Sequence, residues 1–382
     1  MRNLRPAPLP SCAERLCDIA LAEFSLLQEH MMRILNRLAQ TTVLSGLVLA
    51  AGSAAFGADK ELTVFDYAGF EDPAFHGKYI AQHGDAPSFT FFGEEDEALQ
   101  KLISGFKADV SHVCAGSVTK WEAAGILEPW DTAKIAEYAN LDGNLTGTKV
   151  GSVGDVFFIP TDFGSTAIAY NMEEVPAEDV ASLDVFLNPK YQGRVTIPDN
   201  VDDAYALAYL ATGVANWTAA TPAQFEAASD WLRQAHSNLR TYWTDPAELS
   251  QLLATGEVLV SWAWNETLPT MVDEGFPIGF QREAAEGSSL WLCGYVNLKA
   301  GEGSEGKAYD FINSLLDAGA TAPLLDAGYG HSNAKSMAGV GEEALIASGL
   351  GAIEAPVLAQ LPMSIELREM QSETFEKIKA GF

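Results

Sequence analysis

The alternation of strand-type and helix-type stretches constrains this chain most, because a β-α-β-α order lays successive strands into a parallel sheet with helices covering its faces. Glu61 to Tyr67 and Ser88 to Phe92 are β-type runs, and Gly93-Glu94-Glu95 opens a helix whose Ala98, Leu99, Leu102, Ile103 and Phe106 fall on one face. Acids in the first turn suit that helix's dipole. Asp109 to Val113 reads as a third strand, and beyond Cys114 the hydroxyl of Ser117 is expected to cap the helix carrying Trp121. Two further strands, Val156 to Pro160 and Thr166 to Tyr170, are expected on either side of Thr161-Asp162-Phe163-Gly164-Ser165, where Asp162 suits a turn.

A second cycle follows. Arg194 to Ile197 and Glu257 to Asn265 read as strands, residues 203–210, 222–235 and 246–253 as helices, and helical patterns at 305–317 and 365–380 close the chain. No internal repeat, low-complexity tract or flexible linker separates the two cycles, which predicts two lobes joined by crossing strands. Ser289 to Leu298 is the expected return crossing: a buried-type apolar run that nevertheless carries Trp291, Cys293 and Tyr295, placing them at a cleft between the lobes. Tyr329-Gly330-His331-Ser332-Asn333 reads as a tight loop ending in a helix cap.

With 382 residues, 48% hydrophobic and 20% charged, the chain can bury a sizeable core. Its net charge of −29 repels phosphates and argues against nucleic acid as a partner. A cationic ligand fits that balance, but so does an ordinary solvated acidic surface. Near the N-terminus, Arg33 and Arg37 precede an apolar run from Thr41 to Ala51, and Ala55-Phe56-Gly57 precedes Ala58. These are the three parts of a secretory signal, too short in its apolar run to span a bilayer, with the start expected at Met31 or Met32. Residues 1–57 are therefore read as upstream extension plus signal. Of four cysteines, Cys12 and Cys17 precede the signal, leaving Cys114 and Cys293 in the exported part, where they can be bridged or act as two buried thiols. No nucleophile elbow, phosphate loop, dinucleotide fingerprint or zinc-spaced His pair occurs. No enzyme activity, cofactor or metal is expected.

The export signal, the two α/β cycles and the run Leu252-Leu253-Ala254-Thr255-Gly256-Glu257-Val258 leading to Trp264-Asn265 resemble the bacterial extracellular solute-binding proteins of ABC importers, within them the spermidine/putrescine-binding type. The resemblance spans essentially the whole exported chain. It implies an α/β, two-lobed periplasmic-binding-protein fold, with two parallel-rich sheets joined by crossing strands and a hinge closing the lobes over a ligand. Lobe 1 is assigned residues 58–164 and 288–335, lobe 2 residues 165–287 and 336–382. Matched motif by motif, it implies ligand contacts at Tyr67, Phe70, Cys114, Asp162, Asp203, Trp264, Trp291 and Cys293. Asp203 would bind an ammonium group, and the aromatic faces would flank the amine.

Two departures stand out. Cys293 occupies the place of an acid two residues after the tryptophan, and Ala206 stands where a further acid is expected. Asp162, Glu266 or Glu71 could supply the missing charge. The departures open an alternative to a polyamine: a single-centre cation or zwitterion such as a quaternary amine, amino acid or sulfonate-type solute. Both cysteines map to contact positions on the same lobe, so the resemblance implies a Cys114–Cys293 disulfide at the cleft floor. It further implies a periplasmic monomer that delivers a small amine or zwitterion to a permease in the inner membrane.

Overall fold

The computed structural model describes residues 58–141 and 154–382. The signal reading, the start codon, Cys12 and Cys17 lie outside these residues. In chain order the strands are β1 (Ala58–Asp66), β2 (Ala86–Phe91), β3 (Val110–Cys114), β4 (Leu127–Glu128), β5 (Phe158–Asn171), β6 (Val195–Pro198), β7 (Leu239–Trp243), β8 (Val260–Trp264), β9 (Ile278–Gln281), β10 (Ser288–Leu298), β11 (Gly330–His331) and β12 (Val357–Ala359). The helices are α1 (Gly77–His83), α2 (Glu95–Ile103), α3 (Ala115–Ala123), α4 (Val201–Ala211), α5 (Pro222–His236), α6 (Pro246–Ala254), α7 (Thr267–Asp273), α8 (Glu305–Leu315), α9 (Thr321–Asp326), α10 (Ala334–Met337), α11 (Glu342–Ala347) and α12 (Ile365–Lys379).

Strand order along the sheet is β2-β1-β3-β10-β5-β8-β6-β7. At one end β1 pairs parallel with β2 and β3; at the other, β6 pairs parallel with β7 and β8. Between them β10 and β5 run antiparallel to each other and to their outer neighbours. Two parallel-rich halves thus meet at two long crossing strands, the two-lobed α/β architecture expected above. Each half has its own core. Leu62, Val64, Tyr79, Val110, Tyr295 and Phe311 belong to one, and Ile168, Val195, Tyr205, Leu207, Trp231 and Trp262 to the other.

Local sequence explains why key elements start where they do. Asn200 accepts from the backbone N–H groups of Asp202 and Asp203, fixing both acids in the first turn of α4. Thr221 and Gln224 form a reciprocal capping box on α5, with Pro222 at its first position.

Three expectations are corrected. The two strands proposed around residues 161–165 are one continuous strand, β5, because that segment is paired with β10 and also meets β11. A register shift opposite Cys293 and Gly294 absorbs the irregularity there, beside Pro160, which has no N–H to give a ladder. Ser117 does not cap α3; it lies inside that helix and donates to Glu95, while Cys114 occupies the cap position without a side-chain bond. The loop at 329–333 contains β11, which pairs with β5, and Asn333 does cap α10.

Candidate functional site

Side chains on a strand alternate between faces, so Asp162, Gly164 and Thr166 of β5 share one face. The neighbouring strands supply their partners in register: Cys293 opposite Asp162, Trp291 opposite Gly164, and Trp264 of β8 opposite Thr166. Cys293 is in turn opposite Cys114 of β3, and the two are joined as a disulfide. The Trp291 indole lies directly on Gly164. Any Cβ there would overlap the ring, which is why the position carries glycine.

At the Thr166 end stands Asp203, 3% exposed. Its carboxylate accepts from Trp264 Nε1 at 2.6 Å, Thr166 Oγ1 at 2.7 Å and Gln360 Nε2 at 2.9 Å. All three donors are neutral, so the charge is oriented without being cancelled. Burial pushes this carboxyl above the usual range, and the three hydrogen bonds pull it partly back. Trp264 is braced from behind by Trp243, edge to face at 4.6 Å.

At the Asp162 end a buried chain of charges runs across β3. Asp66 Oδ1 meets His112 Nδ1 at 2.8 Å, and His112 Nε2 meets Asp162 Oδ1 at 3.1 Å. Burial alone would lower the imidazole, but the charges of Asp162 and Asp66 and their hydrogen bonds outweigh it and push the ring up to about 10. His112 is therefore a cation with both N–H groups used. Tyr295 stacks on it at 4.6 Å and donates to Asp66 Oδ2 at 2.6 Å. Asp162 Oδ1 also accepts from Thr161 Oγ1 at 2.6 Å. Asp162 Oδ2 is buried and has no partner within the protein.

Aromatic rings close over this end. Tyr329 stacks on Phe70 at 4.9 Å and meets Trp291 edge-on at 6.1 Å. Tyr329 is hydrogen-bonded to Glu266, a buried acid that burial pushes up to about 7, with the Tyr329 bond lowering it and the Asp162 charge raising it. Tyr67, by contrast, is committed to the fold: its hydroxyl donates to Glu95 Oε1 at 2.8 Å. Glu71 closes an exposed turn by accepting from the Gly69 N–H at 2.6 Å, so it does not replace the missing acid.

The two halves also touch beside the site. A Cβ on Gly116 of α3 would sit 2.6 Å from Asp202 Oδ2 and 3.5 Å from Arg368. Arg368 of α12 is 2% exposed, is paired with Asp202 through Nη1, and is held further in the charged state by Glu95 and Asp96 of α2. Burial raises the Glu95 carboxyl, with Arg368 the main opposing influence.

Sequence reasoning missed Gln360, His112, Glu95 and Arg368. Gln360 follows β12 far along the chain and carried no local signal. His112 looked like an ordinary residue of an apolar strand, Glu95 like one of several helix-start acids. Arg368 lies on a helix of mixed charge, and nothing local distinguished it.

Two lobes with separate cores, joined by crossing strands that bring an oriented carboxylate and several aromatic faces to their junction, define a two-lobed binding protein. The chain belongs to the bacterial extracellular solute-binding proteins, whose family pattern matches residues 94–344. It is 24% identical over 279 residues to the spermidine/putrescine-binding periplasmic protein of Escherichia coli, covering 72% of this chain and 78% of the relative. Its fold is similar to that of a spermidine/putrescine ABC transporter substrate-binding protein from Streptococcus pneumoniae, with a TM-score of 0.65 at 18% identity, covering 85% of this chain and 99% of that one. It is equally similar to a binding protein from Agrobacterium tumefaciens solved with glucopine, with a TM-score of 0.67 at 16% identity, covering 84% and 99%. Among the described residues, no helix is long and apolar enough to cross a membrane.

Proposed function

We propose that the protein is the periplasmic, solute-capturing component of an ABC importer. It takes up a small amine-bearing, polyamine-like solute by hinged closure and hands it to an inner-membrane permease. The lobes are read as residues 58–164 with 288–335 and residues 165–287 with 336–382, and the working form as a monomer. The observation that carries this reading is the Asp203 carboxylate, buried, oriented by three neutral donors and set beside Trp264 on the face that also carries Trp291. Such a group is poised for a charge-assisted hydrogen bond to an ammonium, whose methylenes then pack on the indoles. Capture of this kind needs no covalent chemistry. The curated relative's name, spermidine/putrescine-binding, supports the same solute class.

A second reading rests on the bridge. Position 293 presents sulfur rather than charge, which favours a ligand with a single cationic centre or a zwitterion. Thermal-shift measurements with putrescine, spermidine, a quaternary amine, amino acids and a sulfonate separate the two. A ligand at about 100 times its Kd adds about 2.7 kcal/mol of stability. Stabilisation by the polyamines supports the main reading, by the single-centre compounds alone the second. No response to any amine removes both.

A further inference from the structure

Among the described residues the chain passes between the two cores three times. Ile159 and Ile168 put the two ends of β5 in different cores, Ala284 and Tyr295 do the same for the stretch that becomes β10, and Leu324 and Leu358 bound a third passage. A hinge between the halves has to bend at all three. One side chain lies where they meet. Asn265, 0% exposed and next in sequence to Trp264, accepts through Oδ1 from the Ser165 N–H of β5 at 2.9 Å, and its own backbone N–H donates back to Ser165 O at 2.9 Å. Its Nδ2 donates to two carbonyls of the third passage, Gly328 O and, at 2.6 Å, Ser348 O. An amide offers one acceptor oxygen and two N–H donors, and here each has a partner. The second crossing is reached through Gly164, where a Cβ would lie 2.5 Å from Asn265 Oδ1 as well as inside the Trp291 ring of β10. The third passage is shaped to this approach: a Cβ on Gly349, at φ +70°, would sit 2.8 Å from Asn265 Cβ. Arg282, half-buried just past β9, repeats the bridge, with Nε donating to Ser165 Oγ at 3.1 Å and Nη1 to Gly351 O.

We infer that Asn265 is a positioning residue for capture: its amide fastens the third passage to the first crossing and so sets the hinge angle at which Trp264, Asp203 and Trp291 face the solute together. The inference rests on the amine-capture reading above. Trp264 links the hinge to the site, because it is the residue before Asn265 and its Nε1 donates to Asp203. Asn265 itself touches no solute. Without the amide, the Gly328 and Ser348 carbonyls turn to water and the third passage swings free of β5. The halves then sample a wider range of angles, and the binding-competent arrangement becomes a smaller fraction of the population. Apparent affinity falls by that fraction.

The chain contains a matched control. Asn238, 6% exposed, donates through Nδ2 to Phe186 O at 2.9 Å and to Asn188 O at 3.1 Å, the same two-carbonyl pattern within one half. Asn265→Ser and Asn238→Ser in the full exported chain are compared by ligand-free small-angle X-ray scattering and by calorimetric titration with spermidine. Both variants should lower the melting temperature, since each loses buried hydrogen bonds. Only Asn265→Ser should enlarge the radius of gyration and weaken spermidine binding, by at least about fivefold, while Asn238→Ser stays within about twofold of the wild type. Should Asn265→Ser fail to fold, Arg282→Met, which breaks the second bridge between the same two segments, is expected to part from Asn238→Ser in the same two readouts. A folded Asn265→Ser, or Arg282→Met in its place, that matches Asn238→Ser in radius of gyration, or in spermidine affinity where the wild type binds, overturns the inference alone. A wild type that binds neither spermidine nor any other compound of the thermal-shift panel overturns the capture reading instead, and the scattering comparison then decides the hinge role by itself.

Discussion

Replacing Arg368 by Met leaves Asp202, Glu95 and Asp96 facing one another across the junction of the lobes without their buried cation. Removing one partner of a buried ion pair costs about 3–5 kcal/mol, because the remaining charge stays desolvated. If the whole cost fell on unfolding, with an unfolding entropy of ~2 cal/mol/K per residue over ~320 residues, the melting temperature would drop by about 5–8 °C. A hinged protein has an easier route. Parting the lobes hydrates the acids, and 3–5 kcal/mol is enough to shift an opening equilibrium by a factor of about 100 to 1,000 or more. The expected outcome in small-angle X-ray scattering is therefore a larger radius of gyration for the ligand-free variant than for the wild type, with only part of the melting loss. Lowering the pH should reverse the opening. Burial raises the Glu95 carboxyl in the closed form, with Arg368 the main opposing influence. Without Arg368 the closed form therefore holds a proton on Glu95 more readily than a hydrated, open form does, and a fall in pH favours closure. Identical scattering and identical melting for variant and wild type would show that Arg368 does not hold the lobes together.

Other outcomes follow from the same geometry. The contribution of Glu266 and His112 to stability, followed by chemical denaturation, should fall from about pH 4.5 to pH 10. Glu266, raised to about 7, binds a proton in the folded state that the unfolded chain loses, and His112, raised to about 10, contributes stability that is complete below its unfolded value and lost as the pH rises through 10. Substituting both Cys114 and Cys293 by Ala should cost about 5 kcal/mol in the loop-entropy model, since the bridge spans 179 residues, and reducing agent should then have no further effect on the midpoint. Gly164→Ala should displace the Trp291 indole, destabilise by about 1–3 kcal/mol and change the tryptophan emission spectrum; unchanged emission and stability would mean that the ring is not packed on the strand.

The fold was largely legible because its signals are local. The helix starting at Glu95, the capped helix from Pro222 and the apolar return strand at Ser288–Leu298 each carry their own periodicity. The continuity of β5 was not legible, since Thr161-Asp162-Phe163-Gly164-Ser165 has turn composition and is held extended only by pairing with strands that are distant in sequence. The same distinction governs the site. Trp264, Trp291 and Asp203 are visible as unusual residues at strand ends and a helix start. What orients them is not: Gln360 reaches Asp203 from 157 residues away, and Arg368 reaches Asp202 from 166. Asp162 shows the limit most clearly. Its composition suggests a turn, and only the register places it across from Cys293 with one oxygen unused.

The bridge between Cys114 and Cys293 has a consequence for the chain as a covalent object. Residues 165–287 lie between its two ends, so the polypeptide is a closed ring with two tails rather than a line. A protease that nicks an exposed turn between the two cysteines cannot detach either fragment. Cut molecules would run as one species on a non-reducing gel and separate only after reduction. In an environment where disulfides persist, a cut within the ring need not mean loss of what it encloses.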